Sequence, residues 1–141
     1  MTKTGELSNI PYDDLVVDER FGPYDEVVTA HLASRLAGPI GAPTVASFAP
    51  PAVYPVLFLR ALRRAMGGIP AGSILAKQEL EFVRELPVDS PVAVTTWVGA
   101  KEIKRDRPFV TIEFEIRDAE DQLILTGRKI IVWPTGPGEQ A

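Results

Sequence analysis

The sequence predicts an α+β fold in which one apolar helix packs against an antiparallel sheet. The helix is predicted from residues 52–66, AVYPVLFLRALRRAM, which are apolar on almost every side. The sheet is predicted from four later segments that alternate apolar and polar residues or are rich in β-branched side chains: 73–83, 92–98, 109–117 and 123–133. A meander of four such strands needs cover on its apolar face, and the helix supplies it.

The length and composition indicate one domain. A chain of 141 residues with 45% apolar side chains can fill one core, so we expect a single domain over residues 1–141, with flexible ends at 1–12 and 135–141. The formal charge is -4, from 15 basic and 19 acidic side chains. Because this balance lacks the basic surplus that attracts a phosphate backbone, nucleic acid is not an expected partner.

Rare and missing residue types exclude several kinds of site. Cysteine is absent, which excludes disulfides and thiolate chemistry, and His31 is the one histidine. The longest apolar run, Ala49–Leu59, is shorter than the roughly 18 residues that cross a bilayer. The N-terminal residues turn acidic before any apolar run, unlike a secretory signal. We therefore expect a cytoplasmic protein with no membrane partner.

Short elements are expected before the main helix. Residues Leu15–Val17 favour a short strand, and a Gly-Pro pair indicates a turn over Glu19–Tyr24. Thr29 is a suitable N-cap for a short helix that runs to about Ala37. Residues 38–51, which are rich in glycine and proline, are then expected to form a semi-buried loop.

Proline and glycine set the boundaries of the main helix. Pro55 fits a helix only in its first turn, so the helix should begin near Ala52 or Val53. Gly67 and Gly68 should end it.

The predicted strands have defined faces and turns. The first directs a row of mostly apolar residues to one face: Ile74, Ala76, Gln78, Leu80 and Phe82. Pro87–Pro91 should turn the chain into the next strand, and the charged residues 101–108, KEIKRDRP, should end the following hairpin. The centre of the last strand carries Gly127, Arg128 and Lys129.

Four segments, in this order, resemble the MaoC-like hydratase and dehydratase branch of the hotdog superfamily, over roughly Val16–Trp133. They are ERFGPYDEVVTAHLASRLAG, APPAVYPVLFLRAL, AKQELEFVRELPVDSPVAVTTWV and PFVTIEFEIRDAEDQLILTGRKIIVWP. The resemblance implies a long central helix wrapped by a curved antiparallel sheet. It also implies a homodimer or larger homo-oligomer whose sheets join edge to edge, with active sites between subunits. The implied ligand is an acyl thioester of coenzyme A or acyl carrier protein, with no metal or redox cofactor.

The resemblance leaves two alignments open at the catalytic motif. Hydratases of this branch carry Asp-x-Asn-Pro-x-His, and Glu26 to His31 reproduces its spacing, with Asp25 just before. This alignment implies acid and base roles for His31 with Asp25 or Glu26. In the second alignment Val28 and Thr29 start the first helix, and the catalytic loop is shortened to PIGAPTVASFAPP, which has neither histidine nor acid. His31 is then a solvated residue of the helix surface.

The start of the main helix is the other candidate site. Backbone N–H groups of Ala52 and Val53 are suited to hold a thioester carbonyl as it gains enolate charge, although the prolines there could simply stiffen the chain. Four side chains are candidates for substrate binding: Phe48, Tyr54, Phe58 and Gln78. Tyr54 is otherwise a core residue with its hydroxyl on a backbone partner, and Gln78 otherwise anchors a loop.

Three arginines near the end of the main helix are candidates for phosphate binding: Arg60, Arg63 and Arg64. They would meet the phosphates of coenzyme A or of a carrier protein, or else form a solvated helix end.

The first predicted function is hydration of an enoyl thioester or dehydration of a 3-hydroxyacyl thioester. The alternative is a non-catalytic acyl-binding or partner subunit that keeps the fold and pocket. Thioester hydrolysis ranks third, because it needs a carboxylate where the helix starts and APPAVYP has none.

Overall fold

The computed structural model describes residues 10–36 and 53–134. Their elements follow a short 3-10 helix, Tyr12–Asp14. In chain order they are β1 (Arg20–Val27), α1 (Ala30–Leu36), α2 (Val53–Met66), β2 (Ile74–Phe82), β3 (Pro91–Lys104), β4 (Arg107–Asp118) and β5 (Leu123–Val132).

The strands of the described residues form one five-stranded antiparallel sheet in the order β1-β3-β4-β5-β2. Strands β3, β4 and β5 form the predicted meander. Strand β2 does not pair with β3, so the prediction of a four-stranded meander is wrong at this point. The connection over residues 83–90 instead carries the chain from the β2 edge of the sheet to β3, beside the other edge. Leu86 of this connection has no exposed surface and anchors it in the core.

Helix α2 is the centre of the core. Its apolar side chains Leu57, Phe58 and Leu62 have no exposed surface, and they pack against the inner face of the sheet. The helix starts at Val53, which places Pro55 in the first turn as predicted. It ends at Gly67 and Gly68, whose N–H groups donate to carbonyls of the last turn. The prediction of a buried main helix is therefore confirmed.

Two of the predicted local features are also present. Thr29 caps α1, because its Oγ1 accepts a hydrogen bond from the Leu32 N–H at 3.1 Å. The segment KEIKRDRP contains the hairpin end, a two-residue turn at Arg105 and Asp106 with φ values of 51° and 62°. Such a turn lets β3 and β4 continue almost to its edges, so both strands are longer than predicted.

The prediction for residues 15–24 is wrong. Leu15–Val17 forms no regular strand, and Val17 makes a single bridge to Val98. Most of the predicted turn over Glu19–Tyr24 is instead strand, because β1 begins at Arg20. A register shift between Phe21 and Tyr24 takes up the Gly-Pro pair. An edge strand tolerates such a bulge and a proline, because a strand neighbours it on one side alone.

The predicted burial of strand β2 is also wrong. All its residues are exposed except Leu80, which is half-buried. The cause is its position: β2 lies at the edge of the sheet and pairs only with β5 among the described strands. A register shift between Leu75 and Lys77 also breaks the predicted alternation of faces.

Several predictions concern residues outside the described ranges: the semi-buried loop over 38–51, the roles of Phe48 and Ala52, the ends at 1–9 and 135–141. Ile10 is the first of the described residues, and its carbonyl accepts a hydrogen bond from the Trp133 indole at 2.9 Å. No helix in the described part of the chain is long and apolar enough to span a membrane.

Candidate functional site

A narrow apolar cleft lies between the first two turns of α2 and the inner face of the sheet at its β2 side. It is lined by Pro55, Phe58, Gln78, Leu80, Phe114 and Lys129, and its space is about 190 Å³ including the open mouth. The space is too narrow to hold a water molecule in the single chain. Leu80 and Gln78 belong to the exposed edge strand, so the wall that they form has no covering layer in the described chain.

The floor of this cleft is a pair of aromatic rings. Phe58 of α2 stacks on Phe114 of β4 with ring centroids 4.4 Å apart. Gly127 of β5 lies opposite Phe114 in the sheet, and a Cβ atom there would lie 2.4 Å from the Phe114 ring and 2.7 Å from Leu80. The ring therefore lies where it does because position 127 has no side chain.

Lys129 is the charged group of the cleft. It is half-buried, and its ammonium lies 4.8 Å from the centre of the Phe58 ring. Burial lowers the pKa of this ammonium, because an apolar environment disfavours the charged form. The sequence had placed Lys129 in the last strand without a role. The signal that was missed is its position in the strand. Alternate residues of a strand share a face, and Leu125, Gly127 and Ile131 all face the core.

Gln78 lies beside Lys129, because the two residues are paired across β2 and β5. The sequence left open whether Gln78 lines a pocket or anchors a loop. The structure places it in the cleft wall, exposed rather than buried, as expected of an edge strand.

The start of α2 is adjacent to the cleft, since Pro55 lines it. The first N–H groups of a helix have no intrahelical acceptor and carry the positive end of its dipole. Val53 is the first helical residue and is fully buried, and Pro55 contributes no N–H. Within the described residues, the N–H groups available at the helix start are therefore those of Val53 and Tyr54. The oxyanion role of Val53 stays a prediction.

Tyr54 occupies the core position that the sequence had left as its alternative. Its side chain is 4% exposed and its ring packs edge-on against Phe82 at 5.0 Å. Burial raises the pKa of its hydroxyl, a hydrogen bond with the backbone of Leu86 lowers it, and the charge of Glu85 raises it. The hydroxyl is thus held by a backbone partner, away from the residues that line the cleft.

The predicted acid and base residues lie on two different elements, β1 and α1. His31 lies exposed on α1 and Asp25 lies exposed on β1. Glu26 forms an ion pair with Arg60 of α2, at 3.1 Å between Oε1 and Nη1. Within residues 10–36 and 53–134, no hydrogen bond or ion pair joins His31 to either acid, so the catalytic role of these three residues stays a prediction.

Two of the three candidate phosphate-binding arginines contact strand β1 instead. Arg60 pairs with Glu26, and the Arg64 guanidinium lies 4.4 Å from the centre of the Tyr24 ring. Arg63 is exposed. All three lie on the side of α2 that faces β1 or solvent, and none of them lines the cleft beside β2.

A larger depression, of about 610 Å³ including its open mouth, lies on the opposite face of the same strands. Its side chains include Glu79, Glu81, Glu113 and Arg128, and Arg128 pairs with Glu79 at 3.6 Å and with Glu113 at 3.9 Å. Leu80 is the one large apolar side chain among its lining residues, so this charged surface offers little apolar contact for an acyl chain. We therefore place the candidate site in the smaller inner cleft, which is apolar and lies against α2.

The arrangement of elements is that of solved hotdog proteins. A MaoC-like dehydratase from Rhodospirillum rubrum matches with a TM-score of 0.71 at 19% identity, over 89% of this chain and 97% of that chain. The (R)-hydratase from A. caviae involved in PHA biosynthesis matches with a TM-score of 0.64 at 22% identity, over 85% and 98%. A HadBC (3R-hydroxyacyl-ACP dehydratase) complex from Mycobacterium tuberculosis matches with a TM-score of 0.64 at 10% identity, over 79% and 91%.

These likenesses confirm the predicted α+β hotdog fold, the fold of MaoC-like dehydratases and R-hydratases. At such identities the likeness concerns the fold and not the reaction. No family model and no curated protein matches the sequence.

Proposed function

We propose that this protein binds acyl thioesters of coenzyme A or acyl carrier protein and acts on them as a hydratase or dehydratase. The observation that carries the proposal is the inner cleft, where the start of α2 meets an apolar floor made by Phe58 and Phe114. The thioester carbonyl would lie at the helix start and the acyl chain along the aromatic pair.

The helix start fits the charge that the reaction develops. When water adds to an enoyl thioester, hydroxide bonds to the β carbon, and the thioester oxygen gains enolate charge until a proton reaches the α carbon. Free N–H groups and the helix dipole stabilise such an oxyanion. Val53 and Tyr54 supply these donors, and the proposal extends to Ala52, which precedes them.

The proton transfers require a group that titrates near neutral pH, and His31 is the one histidine of the chain. We propose that it removes the proton from water, with Asp25 as its acidic partner. Glu26 is a weaker candidate than the sequence indicated, because Arg60 already neutralises its carboxylate.

A homodimer is part of the proposal. Four apolar side chains along β2 and just after it are about half exposed: Ile74 52%, Leu75 54%, Phe82 52% and Val83 51%. An uncovered edge strand with exposed apolar side chains is a surface for pairing with another strand. A second copy joined there would cover the β2 wall of the cleft and would bring residues of the partner to its mouth.

A second function is favoured by a different observation. Glu26 is occupied by Arg60, and His31 has no acidic partner among the described residues. This arrangement favours a subunit that binds the acyl thioester without turning it over. As a place of action for either function we propose the cytoplasm.

An enoyl thioester assay separates the two functions. The purified protein is incubated with crotonyl-CoA and longer enoyl-CoA substrates, and loss of the conjugated double bond is followed by absorbance. We expect turnover that His31→Ala abolishes and that Ser34→Ala, an exposed position on the same helix, leaves unchanged.

The other outcomes are equally informative. Equal rates in His31→Ala would remove His31 from the mechanism. Binding of acyl-CoA without turnover on any enoyl substrate would favour the non-catalytic subunit. Absence of both binding and turnover would contradict the proposal as a whole.

A further inference from the structure

Lys129 differs from the other lysines of the described residues. Lys77 pairs with Glu79 at 3.3 Å and Lys104 with Glu102 at 3.4 Å, while Lys101 donates to the Leu15 carbonyl at 3.0 Å. The ammonium of Lys129 contacts the Phe58 ring and has no oxygen partner within the described residues. It is also the one of these four whose ammonium lies in the inner cleft.

The described residues that surround Lys129 in the cleft are neutral. The other residues that line the cleft are Pro55, Phe58, Gln78, Leu80 and Phe114. Its neighbours across the two adjacent strands are Gln78 of β2 and Ile112 of β4. The nearest acidic side chains of these strands, Glu79 and Glu113, are on the opposite face, where they pair with Arg128.

Outside the described ranges the acidic side chains are Glu6 and Glu139, near the two ends of the sequence. Residues 37–52, which directly precede α2, contain no aspartate or glutamate. A cation that is half-buried without an anion costs free energy, and burial lowers its pKa in agreement with that cost. An anion that enters the cleft would offset it.

We propose that Lys129 selects acyl thioesters whose acyl chain ends in a carboxylate. This inference rests on the proposed function, because it assumes that the thioester carbonyl is held at the start of α2. The ammonium of Lys129 lies over Phe58, and from Val53 to Phe58 the helix rises by about 7.5 Å. That separation matches the length of a short chain between the carbonyl at one end and the carboxylate at the other. The chain would enter by displacing the uncovered wall that Gln78 and Leu80 form.

The thioester carbonyl itself is a poorer partner for Lys129. It is neutral in the ground state, and the helix N–H groups are placed to hold it. A carboxylate carries a full charge and forms a charge-assisted hydrogen bond with an ammonium, and Gln78 can donate a second one from the adjacent strand.

The test compares two ligands that differ only at the end of a six-carbon chain. Adipyl-CoA carries a terminal carboxylate and hexanoyl-CoA a methyl group, and neither has a double bond to be hydrated. Because both carry the same coenzyme A, the difference in Kd reports the acyl terminus alone. Titration calorimetry on the full chain at neutral pH is the measurement.

We expect the wild-type protein to bind adipyl-CoA about tenfold more tightly than hexanoyl-CoA, the gain typical of a hydrogen bond between charged groups. Lys129→Met should abolish or reverse the preference, and Lys104→Met, on the hairpin far from the cleft, should retain it. Thermal unfolding verifies that the variants are folded, and Lys129→Gln serves as a second neutral replacement.

Equal or weaker binding of adipyl-CoA by the wild-type protein would overturn the inference and leave the proposed function standing. A preference that survives in both Lys129→Met and Lys129→Gln would assign the carboxylate to another group and would equally overturn it. If neither ligand binds, the proposed function fails together with the inference.

Discussion

At the β1 edge of the sheet the chain closes its own surface, whereas at the β2 edge it does not. Beside β1, Arg60 and Arg64 of α2 contact Glu26 and Tyr24 and tie the helix to the strand. Beside β2, the helix contributes Tyr54, whose ring meets Phe82, while the rest of the strand is largely uncovered. The same helix therefore has one side joined to β1 by an ion pair and a cation–π contact, and another side that borders the narrow apolar cleft.

This difference assigns different roles to the two sides of the molecule. Beside β1, the charged and aromatic side chains of α2 and the strand bind each other. We infer that this side stabilises the fold. The side beside β2 keeps an exposed edge, a cleft and an ammonium without an oxygen partner in the described residues. We infer that ligand and partner are both bound on the β2 side.

The largest effect is expected from a charge on the open edge. Leu75→Lys should convert the proposed homodimer into a monomer, because a lysine on an edge strand opposes strand pairing. The matched control is Val27→Lys, which replaces a residue that is 44% exposed on β1. Light scattering after size-exclusion chromatography measures the mass. A dimer that persists in Leu75→Lys but is lost in Val27→Lys would reverse the assignment of the two edges.

The next effect is expected from filling the space beneath the aromatic pair. Gly127→Ala should lower the free energy of unfolding by about 1–3 kcal/mol, the usual cost of overpacking, because its Cβ meets the Phe114 ring and Leu80. Gly99→Ala is the control on the outer face, where the contact is the flexible side chain of Glu113. Urea denaturation gives both values, and equal losses would argue against a tightly packed floor.

A smaller effect is expected at Tyr54. Tyr54→Phe should lose about 1 kcal/mol, since it removes the hydrogen bond with the backbone of Leu86. The difference in stability between the wild-type protein and Tyr54→Phe should shrink at high pH. The pKa of the folded hydroxyl is raised, so the tyrosine of the unfolded chain ionises first, near pH 10. The wild-type protein therefore loses stability above that pH. A wild-type advantage that grows above pH 10 would contradict this assignment.

The smallest effect is expected at the closed edge. The Arg60 side chain is 46% exposed, so its pair with Glu26 should contribute at most about 1 kcal/mol. A double-mutant cycle with Glu26→Gln and Arg60→Met measures the coupling energy. A coupling well above that value would mean that the β1 side depends on this pair more than its exposure indicates.

The parts of the fold that the sequence predicted correctly are those set by local pattern. The main helix follows from an apolar run bounded by Pro55 and a glycine pair, and α1 follows from its Thr29 cap. Strand β3 follows from its β-branched residues and β4 from strict alternation, and both lie in the middle of the sheet with one buried face. For such elements local sequence and tertiary environment agree.

The errors are at the edges of the sheet, where long-range pairing decides. Strand β2 has the alternation of a half-buried strand, but its neighbour is β5 and its other side is open, so its residues are exposed. Strand β1 contains a Gly-Pro pair that normally indicates a turn, yet an edge bulge accommodates it. Neither outcome can be read from a window of neighbouring residues.

The candidate site was predicted in part. Phe58 and Gln78, two of the candidates for substrate binding, line the cleft, whereas Tyr54 is turned to a backbone partner. Phe114 and Lys129 were not predicted, because they join the cleft only through the pairing of β4 with β5 and of β5 with β2. The sequence could show on which face of its strand Lys129 lies. It could not show the strand order that brings Lys129 beside Gln78.

The location of the acyl chain can be measured directly by intermolecular NOEs in a complex of the protein with hexanoyl-CoA. We expect contacts from the acyl methylene protons to the ring protons of Phe58 and Phe114 on the inner face. Contacts to the methyl groups of Thr111 and Thr126 on the outer face, or no binding at all, would contradict the site proposed here.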